Sequence, residues 1–135
     1  MITGGCHCGA VRYEAEGSLS NAALCHCSDC RRVSGAPAMA WASAPSSSFR
    51  FTEKQPLRYA SSAKVTRTFC GDCGSQLTYA HDDYRGERID IATATLDDPS
   101  LAPPTAQIFI ESRLPWMASL NALPERAPDF SPSGQ

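Results

Sequence analysis

Apolar and polar side chains alternate along most of this chain, in runs too short for helices. Ala10 to Ala15 (AVRYEA) alternates until Gly17-Ser18 breaks it, and Ala22-Ala23-Leu24 leads into a cysteine-rich stretch. Pro37 to Ser43 (PAMAWAS) is a small apolar run around Trp41 that reads as a core strand, and Phe49 to Thr52 alternates again. Leu57 to Ala60 and Lys64 to Phe69 (KVTRTF) are two more strand candidates split by a Ser-Ser turn, and Ser75 to Ala80 (SQLTYA) follows. Arg88 to Leu96 (RIDIATATL) has the clearest period of two, with Ile89, Ile91 and Thr93 on one face, and Gln107 to Ile110 (QIFI) is the last run. Between these lie turns: Ala44 to Ser48, the polar loop His81 to Glu87 with Gly86, and Asp97-Asp98-Pro99. One segment departs from the pattern. Ser28 to Val33 predicts a single helical turn, capped by Ser28 and ended by Gly35. Many short strands joined by Gly, Pro, Ser and Asp turns predict an all-β domain.

A length of 135 residues suits one compact domain with its own core. From Leu114 the chain carries Pro115, Pro124, Pro128 and Pro132, which exclude a long helix; residues 117–135 are expected to form a Pro-rich arm that wraps the domain or frays near Gln135. A net charge of −2 leaves no footprint for nucleic acid or an anionic membrane. The first residues show no basic segment followed by an apolar run, and no apolar stretch approaches bilayer length, so a soluble, cytoplasmic protein is the expectation.

Seven cysteines change this plain picture. They fall into three tight groups: Cys6 with Cys8; Cys25, Cys27 and Cys30; and Cys70 with Cys73. Clustered thiols in a reducing compartment point to metal rather than to disulfides. Cys70-x-x-Cys73-Gly74 is a zinc knuckle flanked by strands, and Cys6-x-Cys8, read as extended, turns both thiols to one face and can complete the same tetrahedral ion. That leaves Cys25, Cys27 and Cys30 as an open three-ligand set, the pattern of a catalytic zinc. Another partition is compatible with the counts, with Cys6, Cys8, Cys25 and Cys27 closed and Cys30, Cys70 and Cys73 open. Contiguity favours the first. Zinc on three thiolates is electron-rich and suits activation of a thiol better than activation of water. Arg31 and Arg32 follow the cluster at once, and either offset its charge or hold an anionic group of a substrate. His7 and His26 lie between ligands and should point off the metal, while His81 reads as surface. Trp41 reads as core; Trp116, beside a proline, is a possible pocket wall.

These blocks resemble a known family, the glutathione-dependent formaldehyde-activating enzymes. The resemblance rests on Gly5 to Tyr13 around Cys6-His7-Cys8-Gly9, on Cys25-His26-Cys27-Ser28-Asp29-Cys30-Arg31-Arg32 with Ser34-Gly35-Ala36-Pro37, and on Phe69-Cys70-Gly71-Asp72-Cys73-Gly74-Ser75-Gln76-Leu77. Leu96-Asp97-Asp98-Pro99, Ile108-Phe109 and Ser112-Arg113-Leu114-Pro115-Trp116 are similar to its C-terminal part, so the likeness covers a domain of residues 1–116. It implies a single-domain, zinc-bearing β-sandwich or β-tent of short antiparallel strands. It also implies two zinc ions, a structural one on Cys6, Cys8, Cys70 and Cys73 and a catalytic one on Cys25, Cys27 and Cys30. The implied activity is that of a carbon–sulfur lyase, joining glutathione and formaldehyde into S-hydroxymethylglutathione. Gln107 departs from the histidine expected before Ile-Phe. The partners expected are therefore a small thiol and a small aldehyde. The alternative is a zinc-stabilised binding module without turnover, in which a histidine closes the second site.

Overall fold

The computed structural model describes residues 1–130. Two sheets carry the domain. Strands β1 (Ile2–Gly5), β2 (Arg12–Ala15) and β5 (Phe49–Phe51) form a three-stranded antiparallel sheet in the order β1-β2-β5. The other seven are β3 (Ser20–Cys25), β4 (Met39–Pro45), β6 (Leu57–Ser62), β7 (Val65–Phe69), β8 (Gln76–His81), β9 (Arg88–Ala92) and β10 (Ala106–Ile108). They are ordered β10-β3-β4-β9-β8-β7-β6, with every pair antiparallel except β10 with β3. One short helix, α1 (Ser28–Ser34), joins β3 to β4. The predicted mainly β fold is the observed one.

The two-residue period gives the large sheet two unlike faces. Ala42 and Ala44 of β4, Leu77 of β8 and Ile91 of β9 point one way and pack with Ile2, Tyr13 and Ala15 from the small sheet. Leu77 and Ile91 have no exposed surface, and burial of each is worth about 1.5–3 kcal/mol. Trp41 and Ser43, Arg67, Arg88 and Asp90 line a cavity on the opposite face, and Tyr79 joins them because the β7–β8 register shifts between Thr68 and Phe69, so that Leu77 and Tyr79 do not share a face.

Several elements differ from the sequence expectation. β1 forms although Gly4 and Gly5 are poor strand residues. A Cβ at Gly4 would run into the Tyr13 ring and lie 2.6 Å from the Thr95 carbonyl oxygen, so the close pairing of β1 with its neighbours requires glycine there. β3 is a full strand rather than a lead-in, with a register shift at Asn21, whose φ is 52°. β9 stops at Ala92, short of Leu96. Thr95 Oγ1 donates to the Ala92 carbonyl at 2.7 Å, and Thr93–Thr95 winds into a 3₁₀ turn. β10 ends at Ile108 because Phe109 takes a left-handed φ of 54°, and Ile110–Ser112 becomes another 3₁₀ turn. Within the C-terminal arm the residues up to Phe130 are largely exposed, with a kinked 3₁₀ segment over Pro115–Ala122. The expected fraying near Gln135 lies outside the described residues.

Candidate metal centres and active site

The seven thiols gather into two groups. In each, the sulfurs all lie within 4.8 Å of one another: Cys6, Cys8, Cys70 and Cys73 form one, and Cys25, Cys27 and Cys30 the other. No histidine or carboxylate belongs to either group among the described residues.

The four-thiol group joins two turns. Cys6 to Cys8 is a tight turn rather than the extended segment expected, closed by the Gly9 amide donating to the Cys6 carbonyl at 3.1 Å. The turn brings Cys6 Sγ to 3.5 Å from Cys8 Sγ. The knuckle between β7 and β8 is closed by the Gly74 amide donating to the Cys70 carbonyl at 2.8 Å, with Gly74 at φ 77°. Cys8 Sγ lies 3.8 Å from Cys70 Sγ. A tetrahedral zinc with bonds of about 2.3 Å separates its sulfurs by about 3.8 Å, so this donor set fits zinc. The Val11 amide donates to Cys6 Sγ at 3.2 Å, as suits a thiolate. Burial opposes ionisation of Cys6, but this amide and the Cys8 and Cys70 thiols hold it below the usual thiol range. Ser75, bonded at 3.2 Å, brings Cys73 down to about 5. The remaining protons of such a cluster are those a cation displaces on binding.

The three-thiol group is built by the β3–α1 junction. Cys25 ends β3 and is buried, Cys27 caps α1, and Cys30 lies one turn into the helix, also buried. The expected cap, Ser28, is instead the first helical residue. Cys27 Sγ accepts from the Cys30 amide at 3.3 Å, so one sulfur both caps the helix and serves the cluster. Gly35 ends α1 in the left-handed conformation, as predicted. The Cys25 thiol donates toward Cys30 and, with Cys27 and the Arg67 charge, draws Cys30 down to about 5 against burial. The same sharing, and burial, push Cys25 up. This donor set also fits a zinc ion, with one coordination position left open.

The open side faces a cavity of about 610 Å³ on the large sheet. Cys25, Cys27 and Cys30 lie in its wall, and none of Cys6, Cys8, Cys70 or Cys73 does. Beside the thiols, Arg67 of β7 is 3% exposed. Its Nε donates to Ser61 Oγ at 3.1 Å, and Nη1 and Nη2 stand 4.0 and 3.9 Å from Cys30 Sγ. Its guanidinium carbon sits 4.9 Å from the centre of the Tyr79 ring, which in turn packs on Trp41 at 6.0 Å. A buried cation thus stands against the sulfur cluster, supported by the face of the Tyr79 ring.

The other residues singled out from sequence are placed as follows. Arg31 and Arg32 lie on α1 and do not line the cavity. Arg32 is exposed, and Arg31 Nε is buried without a partner. Asp29 lies in the cavity wall. His26 is fully buried, its Nε2 2.8 Å from Gln107 Oε1, and its backbone amide donates to the Ile108 carbonyl at 3.1 Å. This side chain braces β3 against β10 rather than closing the metal site. His7 is exposed, and His81 is half-buried, its Nδ1 accepting from the Asp83 amide at 3.1 Å. Trp116 is 50% exposed and stands away from the cavity. Sequence reading overlooked Arg67, Tyr79, Tyr84, Arg88 and Asp90. For those on the strands, the available signal was the alternate position opposite each buried core residue.

Three comparisons with known proteins give matches. The profile of the family described as glutathione-dependent formaldehyde-activating enzyme matches residues 1–112. An uncharacterized lyase of Schizosaccharomyces pombe is 32% identical over 85 residues, covering 58% of this chain and 56% of that protein. The chain therefore spans little more than half the length of this relative. A crystal structure of a Rhodobacter sphaeroides protein, a structural-genomics target, superposes with a TM-score of 0.62 at 28% identity, covering 78% of this chain and 98% of that one.

Proposed function

The chain belongs to the glutathione-dependent formaldehyde-activating enzyme family, and on that premise we propose that it is a zinc-dependent carbon–sulfur lyase-type enzyme acting on a glutathione-like thiol and a small aldehyde such as formaldehyde. Cys6, Cys8, Cys70 and Cys73 hold a structural zinc in this reading, and Cys25, Cys27 and Cys30 a catalytic one. The observation that carries it is the asymmetry of the two sulfur clusters. The complete set of four opens into no part of the cavity, while the incomplete set of three forms part of its wall.

When bound, zinc at the three-thiol site lowers the pKa of an incoming thiol. The chain's own residues do the rest. The Arg67 guanidinium, fixed by Ser61 and Tyr79, offsets the negative charge that three sulfurs and a substrate thiolate would concentrate. Trp41 and Tyr79 cover the apolar side of the cluster and limit water. The cavity volume matches a small peptide thiol together with an aldehyde. In the forward direction a bond forms between the thiol sulfur and the aldehyde carbon, and the aldehyde oxygen gains the proton that the thiol gives up. The lyase direction reverses this.

Glutathione titrated into the zinc-loaded protein should change the zinc X-ray absorption edge at one site of two. Formaldehyde exchange with glutathione, followed by NMR, should run faster than the uncatalysed background. A Cys27→Ser protein that equals the wild type in both measurements would sink the reading.

A further inference from the structure

The wall of the cavity away from the thiols carries two opposite charges that the proposed chemistry does not use. Arg88 and Asp90 stand two residues apart on β9, so both face the cavity. Neither makes an ion pair among the described residues, and the Asp90 charge acts on Arg88 only through space. Arg88 lies flat on the Tyr84 ring, its guanidinium carbon 3.8 Å from the ring centre, and its Nε is buried without a hydrogen-bond partner. No carboxylate among the described residues, Asp90 included, lies within ion-pair distance of it. Asp90 in turn meets hydroxyls rather than a cation. Ser43 Oγ donates to Oδ1 at 2.6 Å, and Tyr84 Oη donates to Oδ2 at 2.9 Å. Each carboxylate oxygen keeps a further lone pair for a donor from the cavity.

An arginine stacked in place outside ion-pair contact, beside a carboxylate held only by hydroxyls, is complementary to one kind of group. That group carries an anion and a cation on neighbouring atoms. We infer that Arg88 and Asp90 form a subsite for the α-amino acid head of the thiol substrate, Arg88 taking the α-carboxylate and Asp90 the α-ammonium. This inference rests on the proposed function for the identity of the far end of the ligand, and not for the subsite itself. Strand register sets the span between the two ends. Cys25 pairs with Met39, and Asp90 pairs with Ser43. Four residues of β4 separate those positions, about 13 Å along the strand at about 3.3 Å per residue, and β3 and β9 flank β4 on opposite sides, about 4.8 Å away each, so the two ends lie about 16 Å apart. In free cysteine the amino acid head lies too close to its own sulfur to bridge this distance. A thiol whose amino acid head sits at the end of a peptide-length arm, as in a γ-glutamyl peptide, can reach both ends. The subsite therefore selects for γ-glutamyl-type thiols over cysteine and over thiols without a zwitterionic head.

The test uses a ligand with no thiol, so that binding does not depend on metal coordination. Calorimetric titration of the zinc-loaded full chain would compare γ-glutamyl-2-aminobutyryl-glycine with its α-carboxamide and its desamino (glutaryl) forms. For the wild type each altered ligand is expected to bind about ten- to a hundredfold more weakly, the range for a charge-assisted contact. Arg88→Gln should bind the parent and the carboxamide equally, and Asp90→Asn should bind the parent and the desamino form equally. Arg88→Lys, which keeps the charge and loses the fork, should fall between. Zinc content and melting temperature report whether each variant is folded. If one is not, the three ligands on the wild type still decide. A wild type that binds the three alike or binds none of them, or folded variants that bind the parent as tightly as the wild type, overturns the subsite. If the subsite responds as expected but glutathione leaves the zinc edge unmoved, the subsite stands and the lyase reading fails.

Discussion

Arg67 offers a quantitative test of how the three-thiol site is built. Replacing it by Met keeps the length and apolar contacts of the side chain and removes the charge standing 3.9–4.0 Å from Cys30 Sγ. Two unit charges about 4 Å apart interact by about 4 kcal/mol at an effective dielectric near 20. A bound dication shares the sulfur charge, so the loss should fall in the range for hydrogen bonds to charged groups, about 1.5–3 kcal/mol. That corresponds to about a ten- to hundredfold weaker metal affinity at this site. Stepwise competition with a chromophoric chelator resolves the two zinc ions of the full chain. The four-thiol site serves as the internal reference, because Arg67 contacts none of its sulfurs. Arg67→Met should weaken one affinity and leave the other alone. Arg67→Lys should recover part of the loss, since an ammonium keeps the charge without the Nε bond to Ser61. An unchanged three-thiol affinity in Arg67→Met would refute the electrostatic argument. An equal fall at both sites would show that Arg67 acts through the fold.

Two further outcomes test the scaffold. Gly4→Ala places a Cβ against the Tyr13 ring and 2.6 Å from the Thr95 carbonyl oxygen, which is backbone and cannot swing aside. It should destabilise the domain by about 1–3 kcal/mol in chemical denaturation, and a wild-type midpoint would show that β1 has slack. Asp97 accepts from Arg12 Nη2 at 2.5 Å and from Thr3 Oγ1 at 2.6 Å, and these partners hold its carboxyl below the usual carboxylate range. A depressed folded-state pKa stabilises above the unfolded value, about 3.9, and that contribution is lost as pH falls through the folded-state value. Asp97→Asn should therefore flatten the acid limb of the melting-temperature profile. Its cost near neutrality should be no more than about 1 kcal/mol, because the pair is partly exposed. Superimposable acid limbs for variant and wild type would remove Asp97 from the account.

What the sequence could reveal depends on whether an interaction is cheap to form locally. Metal ligands are legible because contiguous thiols reach one ion with little loss of chain entropy, which is why Cys25, Cys27 and Cys30 stand out together. The cation beside them is not bound by that economy, since a charge acts through space from whichever element carries it. Adjacency pointed to Arg31 and Arg32, but an α-helix turns about 100° per residue, so side chains just after Cys30 leave the face that Cys30 occupies. Arg67 comes from β7, 37 positions further along the chain, and holds the place instead. A sharper reading of KVTRTF was open. The strand runs straight into the Cys70 knuckle, and Thr68, 5% exposed, bonds Thr78 at 2.5 Å. In a two-residue period Arg67 must then point to the opposite face. If that face were solvent, the arginine would be unremarkable. If the sheet has a wall there, a guanidinium buried without an anion would be prohibitively costly, so its burial demands a negative partner. Register brings Asp90 to the same face two strands away, but it is Cys30 Sγ of the three-thiol cluster that stands 3.9 Å from the guanidinium. The pattern along β9 works the same way: Ile89 and Ile91 face the core, which assigns Arg88 and Asp90 to the cavity before any ligand is considered.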